Sequence, residues 1–246
     1  MKKSTFASYI TTDFNGGDSH WLAYNHRVRI LIGLGGMLLP VLLYSFLFLV
    51  NGVTHPLESI SHYYYTRVSA IFVAIMSMIG VFLIAYKGKA PIDFILSFIA
   101  GVAAFVVVFF PTGNISDICG DPTKPFSVTI LPYSPFREML HYFAAGVYIV
   151  CLALMSLFLF TRSNSPKSNF NRNKKIRIFI YKICGITMLL TVIIVFFGGY
   201  LDMIPEDIYT KNHITFWMES LAAESFGLSW LVKGEAMFHN STMKHR

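Results

Sequence analysis

Two glutamates stand in a segment that is otherwise apolar or small, Trp217-Met218-Glu219-Ser220-Leu221-Ala222-Ala223-Glu224-Ser225. An ionisable side chain at the centre of a membrane helix costs about 2.5 to 3.5 kcal/mol, so its presence calls for a chemical reason. A carboxyl in such a place holds a proton, pairs with a cation, binds a metal ion or hydrogen-bonds a neighbouring helix. At 1.5 Å per residue from Ile214, Glu219 lies about 7–8 Å deep and Glu224 about 15 Å deep. Five residues apart, they point about 140° from each other around a helix, so one partner cannot serve both. Ser220 and Glu224, four apart, share a face.

Two histidines approach from the same side. His62 lies in Glu58-Ser59-Ile60-Ser61-His62-Tyr63-Tyr64-Tyr65-Thr66-Arg67, and His141 in Arg137-Glu138-Met139-Leu140-His141-Tyr142. His62, His141 and Glu219 all fall within one or two turns of one apolar boundary. If their helices are neighbours, the three form one pocket. Two imidazoles and a carboxylate suffice to hold a divalent metal such as zinc with an open position, although no H-x-x-x-H or H-E-x-x-H pair pre-organises them. Alternatively, His141 or His62 is a general base oriented by Glu219, with Ser61, Ser59 or Ser220 as nucleophile; no nucleophile elbow accompanies them. The third possibility is a polar binding site, or structural hydrogen bonding, with Tyr64, Arg67, Glu224 and Ser220 as contacts. Arg67 could neutralise Glu219, Glu58 or a lipid phosphate. Tyrosines concentrate at membrane interfaces, but Tyr63, Tyr64 and Tyr65 are consecutive and cannot all face lipid, so at least one faces the protein.

The elements that position these groups follow from composition. The 246 residues are 54% hydrophobic and only 13% charged, with a mean hydropathy of +0.56. Ordinary soluble domains carry roughly twice that share of charge. Disorder and a disulfide scaffold are excluded by the apolar excess and by there being 3 cysteines. Six apolar runs, 30–50, 68–86, 92–110, 139–160, 178–200 and 214–232, have the roughly 20-residue length that crosses a bilayer core. The first follows a long polar stretch and has no small-residue cleavage pattern after it, so it is read as a permanent helix rather than a signal peptide. The expected fold is an all-α, six-span polytopic membrane protein, a single domain over 1–246.

Most of the 20 lysines and arginines lie on one side of that arrangement. They include Lys2, Lys3, Arg27, Arg29, Lys87, Lys89, the cluster Arg162, Lys167, Arg172, Lys174, Lys175 and Arg177, and Lys233, Lys244 and Arg246. The opposite side holds Arg67, Lys124, Arg137 and Lys211. The positive-inside rule then places both termini in the cytoplasm. The net charge of +7 is thereby an orientation signal, and nucleic-acid binding is not expected: the basic cluster lacks interleaved aromatic platforms and sits at lipid headgroup level.

Other features read as architecture. Gly33, Gly35, Gly36 and Pro40 suggest close packing and a kink in the first span, Ser97 and Gly101 a small-residue contact in the third, and Gly198-Gly199 a loosened end of the fifth. Asp93 complements a helix N-terminus near Lys87 and Lys89. Lys233 lies at a span end, which disfavours a Schiff-base lysine. Asn114-Ile115-Ser116 fits a glycosylation acceptor on the external face, relevant only in a eukaryotic secretory host. Cys119 is the single external cysteine, with Cys151 and Cys184 in spans, so no external intrachain disulfide is available. No internal repeat relates the two three-helix halves.

Ser59-Ile60-Ser61-His62 before the second span, Gly101 with Phe110-Pro111-Thr112 closing the third, and His141 with Ala144-Ala145 opening the fourth resemble a loose superfamily of bacterial six-span proteins, similar in plan to the DRAM/Sfk-type membrane proteins. The resemblance covers roughly 30–160, and the last two spans only by topology. It implies a lipid-related role and a bacterial inner membrane, and it carries no catalytic residues. The leading expectation is recognition or processing of a lipid or other amphiphile at an outer-leaflet pocket, with His62, His141 and Glu219 at its centre. If it is an enzyme, it is a membrane-embedded lipid hydrolase or transferase. The alternatives are a proton-coupled transporter or channel with Glu224 carrying the proton, and a non-catalytic membrane sensor or scaffold.

Overall fold

A helix occupies each of the six apolar runs. The computed structural model describes residues 19–88, 90–118, 121–163 and 171–234, with side chains from residue 27 onward. Expectations resting on Lys2, Lys3, Lys89, Cys119, Lys167, Lys244 and Arg246 lie outside the described residues. The long helices are α1 (Ser19–Asn51), α2 (Ser69–Ala85), α3 (Pro91–Phe109), α4 (Pro135–Leu154) and α5 (Arg172–Val195). A short α6 (Glu206–Lys211) then leads into α7 (Ile214–Lys233), and a 3-10 helix, Ile60–Tyr65, precedes α2.

Local chemistry sets the ends of these helices. Gly52 stops α1 at φ +67, with its N–H returned to the Phe48 carbonyl at 2.8 Å, a left-handed cap that glycine adopts without a Cβ clash. The Ser134 and Asn171 side chains accept the N–H groups of Arg137 and Lys174 and so cap α4 and α5. Pro40 sits inside α1 without ending it. The expected loosening at Gly198-Gly199 takes the form of a π-helical turn, Phe196–Tyr200, and α4 is prolonged by another, Met155–Leu159.

Among the described residues four stretches are long and apolar enough to cross a membrane: Arg27–Asn51, Pro91–Phe109, Pro135–Leu159 and Arg172–Tyr200. The α2 helix is as apolar but has 17 residues, and α7 has 20 and bears Glu219, Glu224 and Lys233. The outward faces are apolar as well: Phe109 and Phe143 are each 70% exposed and Phe179 64%. Water penalises such a surface and lipid accepts it, as in an integral membrane protein.

The helices close into a ring in the order α1, α2, α3, α4, α5, α7 and back to α1. Closure at α1 and α7 depends on missing side chains. A Cβ on Gly227 would lie 2.5 Å from the Gly33 carbonyl oxygen, so the two backbones meet directly. Two apolar cores are stacked along the ring. One, with Leu43, Tyr63, Phe72 and Phe216, lies toward the 3-10 helix. The other, with Ile79, Leu83, Met188 and Trp230, lies toward the far end.

That far end is sealed by aromatic rings. Trp230 is wholly buried, and its ring meets Tyr86, Phe160 and Phe226 at centroid distances of 5.1, 5.3 and 6.0 Å. Arg29 lies over Tyr86 and Lys233 over Phe160, 5.6 and 4.9 Å from the ring centres. Asp93 caps its own helix by accepting the Ala90 N–H and also pairs with Arg162, just beyond the end of the neighbouring α4.

The ring predicts an asymmetry among glycine substitutions. Gly227→Leu forces α1 and α7 apart and should destabilise the protein by about 1–3 kcal/mol, the usual range for overpacking. Gly146→Ala, where an added Cβ meets nothing within 4 Å, should leave the melting temperature in detergent unchanged or slightly raised. Equal melting temperatures for the two variants would contradict the crossing.

Candidate functional site

The site begins where α3 stops. Pro111 has no N–H and its ring disfavours helical geometry at the preceding residue, so the helix ends at Phe109 and leaves terminal carbonyls without helical partners. At the cap and just past it, side chains from other elements take the carbonyls one by one. His141 Nδ1 donates to the Phe110 carbonyl at 2.8 Å. Arg137 Nε donates to Pro111 at 3.1 Å, and its Nη1 to Pro132 at 2.6 Å. The Tyr65 hydroxyl donates to the Thr112 carbonyl, and Thr112 Oγ1 to the Tyr142 hydroxyl at 3.1 Å. Three consecutive carbonyls thus fix α4 and the 3-10 helix to the end of α3.

The 3-10 helix is held as closely on its other sides. Ser59 caps it: its side chain accepts the His62 N–H at 3.3 Å and lies 3.1 Å from His62 Nδ1. The Ile60 N–H, one of the donors a helix start leaves unpaired, donates to Glu219 Oε2 at 2.6 Å. Ser61 Oγ lies 3.0 Å from His141 Nε2. Farther along, Thr66 bridges Ser127, and the Val128 N–H donates to the Tyr65 carbonyl at 2.9 Å. The Phe216 N–H, in the first turn of α7, donates to the Glu58 carbonyl at 2.9 Å.

Beneath this turn lies a cavity of about 70 Å³ that all six ring helices enclose. Leu39, Phe72, Met76, Ala145, Ala223 and Phe226 supply most of its character, and its walls are almost entirely apolar. Among the lining residues only Ser61, Glu219 and Tyr148 carry side-chain oxygen. No hydrogen-bond partner for the Tyr148 hydroxyl or for Glu219 Oε1 is present among the described residues.

The structure therefore draws Glu219 and His141 to adjacent residues of one turn, Ile60 and Ser61, while His62 turns to Ser59 instead. Both His141 ring nitrogens are engaged, and among the described residues no three His, Cys, Asp or Glu side chains are gathered to hold a metal ion. Glu224 is partly exposed, lies outside the cavity lining and has no hydrogen bond or ion pair among the described residues. Ser220 Oγ is buried without a hydrogen-bond partner among the described residues. Arg67 is exposed and forms no ion pair among the described residues, and Tyr64 packs edge-on against Tyr65 at 5.3 Å. Tyr63 and Tyr65 are wholly buried, so only Tyr64 fits an interfacial role. Burial pushes both hydroxyls up to about 12, keeping them protonated donors. Asn114 has its side-chain amide clasped to the Leu131 backbone at 2.7 and 3.0 Å, which leaves it poorly disposed for glycosylation.

The sequence-based expectation missed the Phe110 carbonyl and Tyr148. Tyr148 had a signal: His141, Ala145, Tyr148, Ile149 and Leu152 recur at helical spacing on one face of α4, behind small residues that make room. The carbonyl had none beyond Pro111. Comparisons with protein-family models, curated proteins and solved structures returned no match.

Two outcomes follow from these contacts. Glu219→Ala leaves the buried Ile60 N–H without an acceptor and should cost about 1–3 kcal/mol, while Glu219→Gln restores an acceptor and most of the stability; chemical denaturation in mixed micelles measures both. Burial, with a smaller contribution from Lys124, pushes the His62 imidazole from 6.5 down to about 4. The unfolded chain then takes up a proton that the folded chain refuses, so stability should fall as the pH drops from about 6.5 toward 4. His62→Gln should flatten that decline; an unchanged pH profile of the melting temperature would contradict it.

Proposed function

We propose that this protein is a six-span membrane protein, with both termini cytoplasmic, that recognises a lipid or other amphiphile at a pocket on its outer-leaflet side. The observation that carries the proposal is the distribution of polarity in the central cavity. Its body is apolar, and the turn that roofs it contributes Ser61, with Glu219 and Tyr148 on the walls. Binding sites for small molecules commonly pair an apolar enclosure with a few placed polar groups that set orientation. An amphiphile meets that demand, with a chain segment among Leu39, Met76, Ala145 and Phe226 and an oxygen-bearing group at Ser61, Glu219 or Tyr148.

The aromatic floor around Trp230 favours a blind pocket over a path through the bundle. Glu224 lies outside the lining, which weakens the case for a coupled proton at that residue. The four long apolar helices and the apolar exterior support a membrane setting. The six-span count adds α2 and α7, which are integral to the ring. The bacterial inner membrane remains the preferred location, through the resemblance noted above.

The test uses the full chain in nanodiscs containing a phospholipid with a photoactivatable group on its acyl chain. After irradiation, peptide mapping should find adducts at Ala145, Tyr148, Ala223 or Phe226, and Ala223→Trp, which fills the cavity, should abolish them. Adducts confined to outward residues such as Phe109, Phe143 and Phe179 would overturn the proposal.

A further inference from the structure

We propose that Ser61 is a nucleophile, His141 its general base, and the site an acyl-ester hydrolase acting on a lipid or similar amphiphilic ester; this rests on the pocket proposed above and adds a reaction to it. The evidence lies in the hydrogen-bond chain. A carbonyl oxygen only accepts, so the 2.8 Å contact with Phe110 requires the proton on His141 Nδ1. In the neutral ring Nε2 is then a bare acceptor, and the Ser61 hydroxyl 3.0 Å away donates to it. Hydroxyl, imidazole and a fixed acceptor in series form the relay that activates a serine, with a backbone carbonyl in the place a carboxylate more often fills.

Ser59 also meets an imidazole, His62 Nδ1 at 3.1 Å, but as the cap of the turn and outside the cavity lining, and several other buried hydroxyls behave differently. Ser97, Ser156, Ser229 and Thr191 each donate to a backbone carbonyl, the ordinary way to bury a hydroxyl beside a helix. Ser61 instead is aligned on an imidazole held from both sides, and it lines the cavity while that imidazole stands behind it. The small residues Ala144 and Ala145 follow His141 on the same helix, and Ala145 leaves space at the cavity wall beside Ser61.

The chemistry closes on these groups and water. Ser61 Oγ bonds to the ester carbonyl carbon as its proton passes to His141 Nε2. The tetrahedral adduct collapses, the carbon–oxygen bond to the alcohol breaks, and the alcohol takes the proton from Nε2. An acyl ester on Ser61 remains. Water then attacks that ester, giving a proton to Nε2, and collapse returns the proton to Ser61 Oγ with release of the carboxylic acid. The net change is ester plus water to acid plus alcohol.

The experiment treats the full chain in lipid nanodiscs with a fluorophosphonate probe, which phosphonylates activated serines, and maps the adduct by mass spectrometry. Labelling at Ser61 is expected, with loss in Ser61→Ala and a rate about 10²–10⁴-fold lower in His141→Gln. Ser229→Ala, remote from the site, should label as the parent does. Ser61→Cys, which retains size and a weak donor, guards against a folding defect: it should keep the parent melting temperature and lose the phosphonate adduct. No adduct at Ser61 in the parent protein overturns the nucleophile. If photoactivatable lipid still marks the cavity in that case, the pocket stands as a binding site; if neither probe marks it, both proposals fall.

Discussion

A helix that ends at a proline inside an apolar protein must find partners for the carbonyls it leaves behind. At the cap of α3 and in the two residues past it the same need falls on the carbonyls of Phe110, Pro111 and Thr112, and the surrounding elements are arranged to supply donors to each. His141 and Arg137 come from the first turns of α4, and Tyr65 from the 3-10 helix. An unpaired buried carbonyl is expensive where water is scarce, so this one terminus ties two other elements to it. The complementary need, a donor rather than an acceptor, arises at Ile60, and Glu219 meets it from α7. Between them these contacts bring α3, α4, α7 and the turn to one place.

The position of the cavity follows from that assembly. The turn bridges the mouth of the ring because both its faces are pinned. Small residues such as Gly36, Ala145 and Ala223 leave the space beneath it open. At the other end large aromatic rings converge on Trp230 and close the bundle. The interior is thus graded along its axis, with polar contacts at the turn, an apolar void in the middle and an aromatic floor. A ligand with one polar end and one apolar end matches that gradient.

Much of the scaffold was legible in the sequence because hydrophobic length is a strong signal. Each apolar run became a helix, and the depth estimate correctly put Glu219 near the same end as His62 and His141. The glutamates also diverged as helical geometry requires, Glu219 into the cavity wall and Glu224 away from it. Individual partners were not legible. His62 was expected to stand with His141 and Glu219, yet the Ser59 cap draws it aside, a local preference that competes with any shared site. The role of the Phe110 carbonyl depends on which side chains fold back on the α3 terminus, a tertiary fact with no period or composition to announce it. Ser61 and Ser59 are equally plausible nucleophiles on paper; one caps a turn and the other faces His141 only once the chain is folded.

The central claim is that the end of α3 sets the proton arrangement of His141 and through it the state of Ser61. Solid-state NMR of the ¹⁵N-histidine-labelled protein in lipid bilayers tests it directly, with His141 assigned by its loss in His141→Gln. The expected spectrum is that of a neutral ring protonated at Nδ1, with Nε2 bare and accepting a hydrogen bond. A proton found on Nε2 with Nδ1 bare would contradict it, because the Phe110 carbonyl would then face a nitrogen that cannot donate.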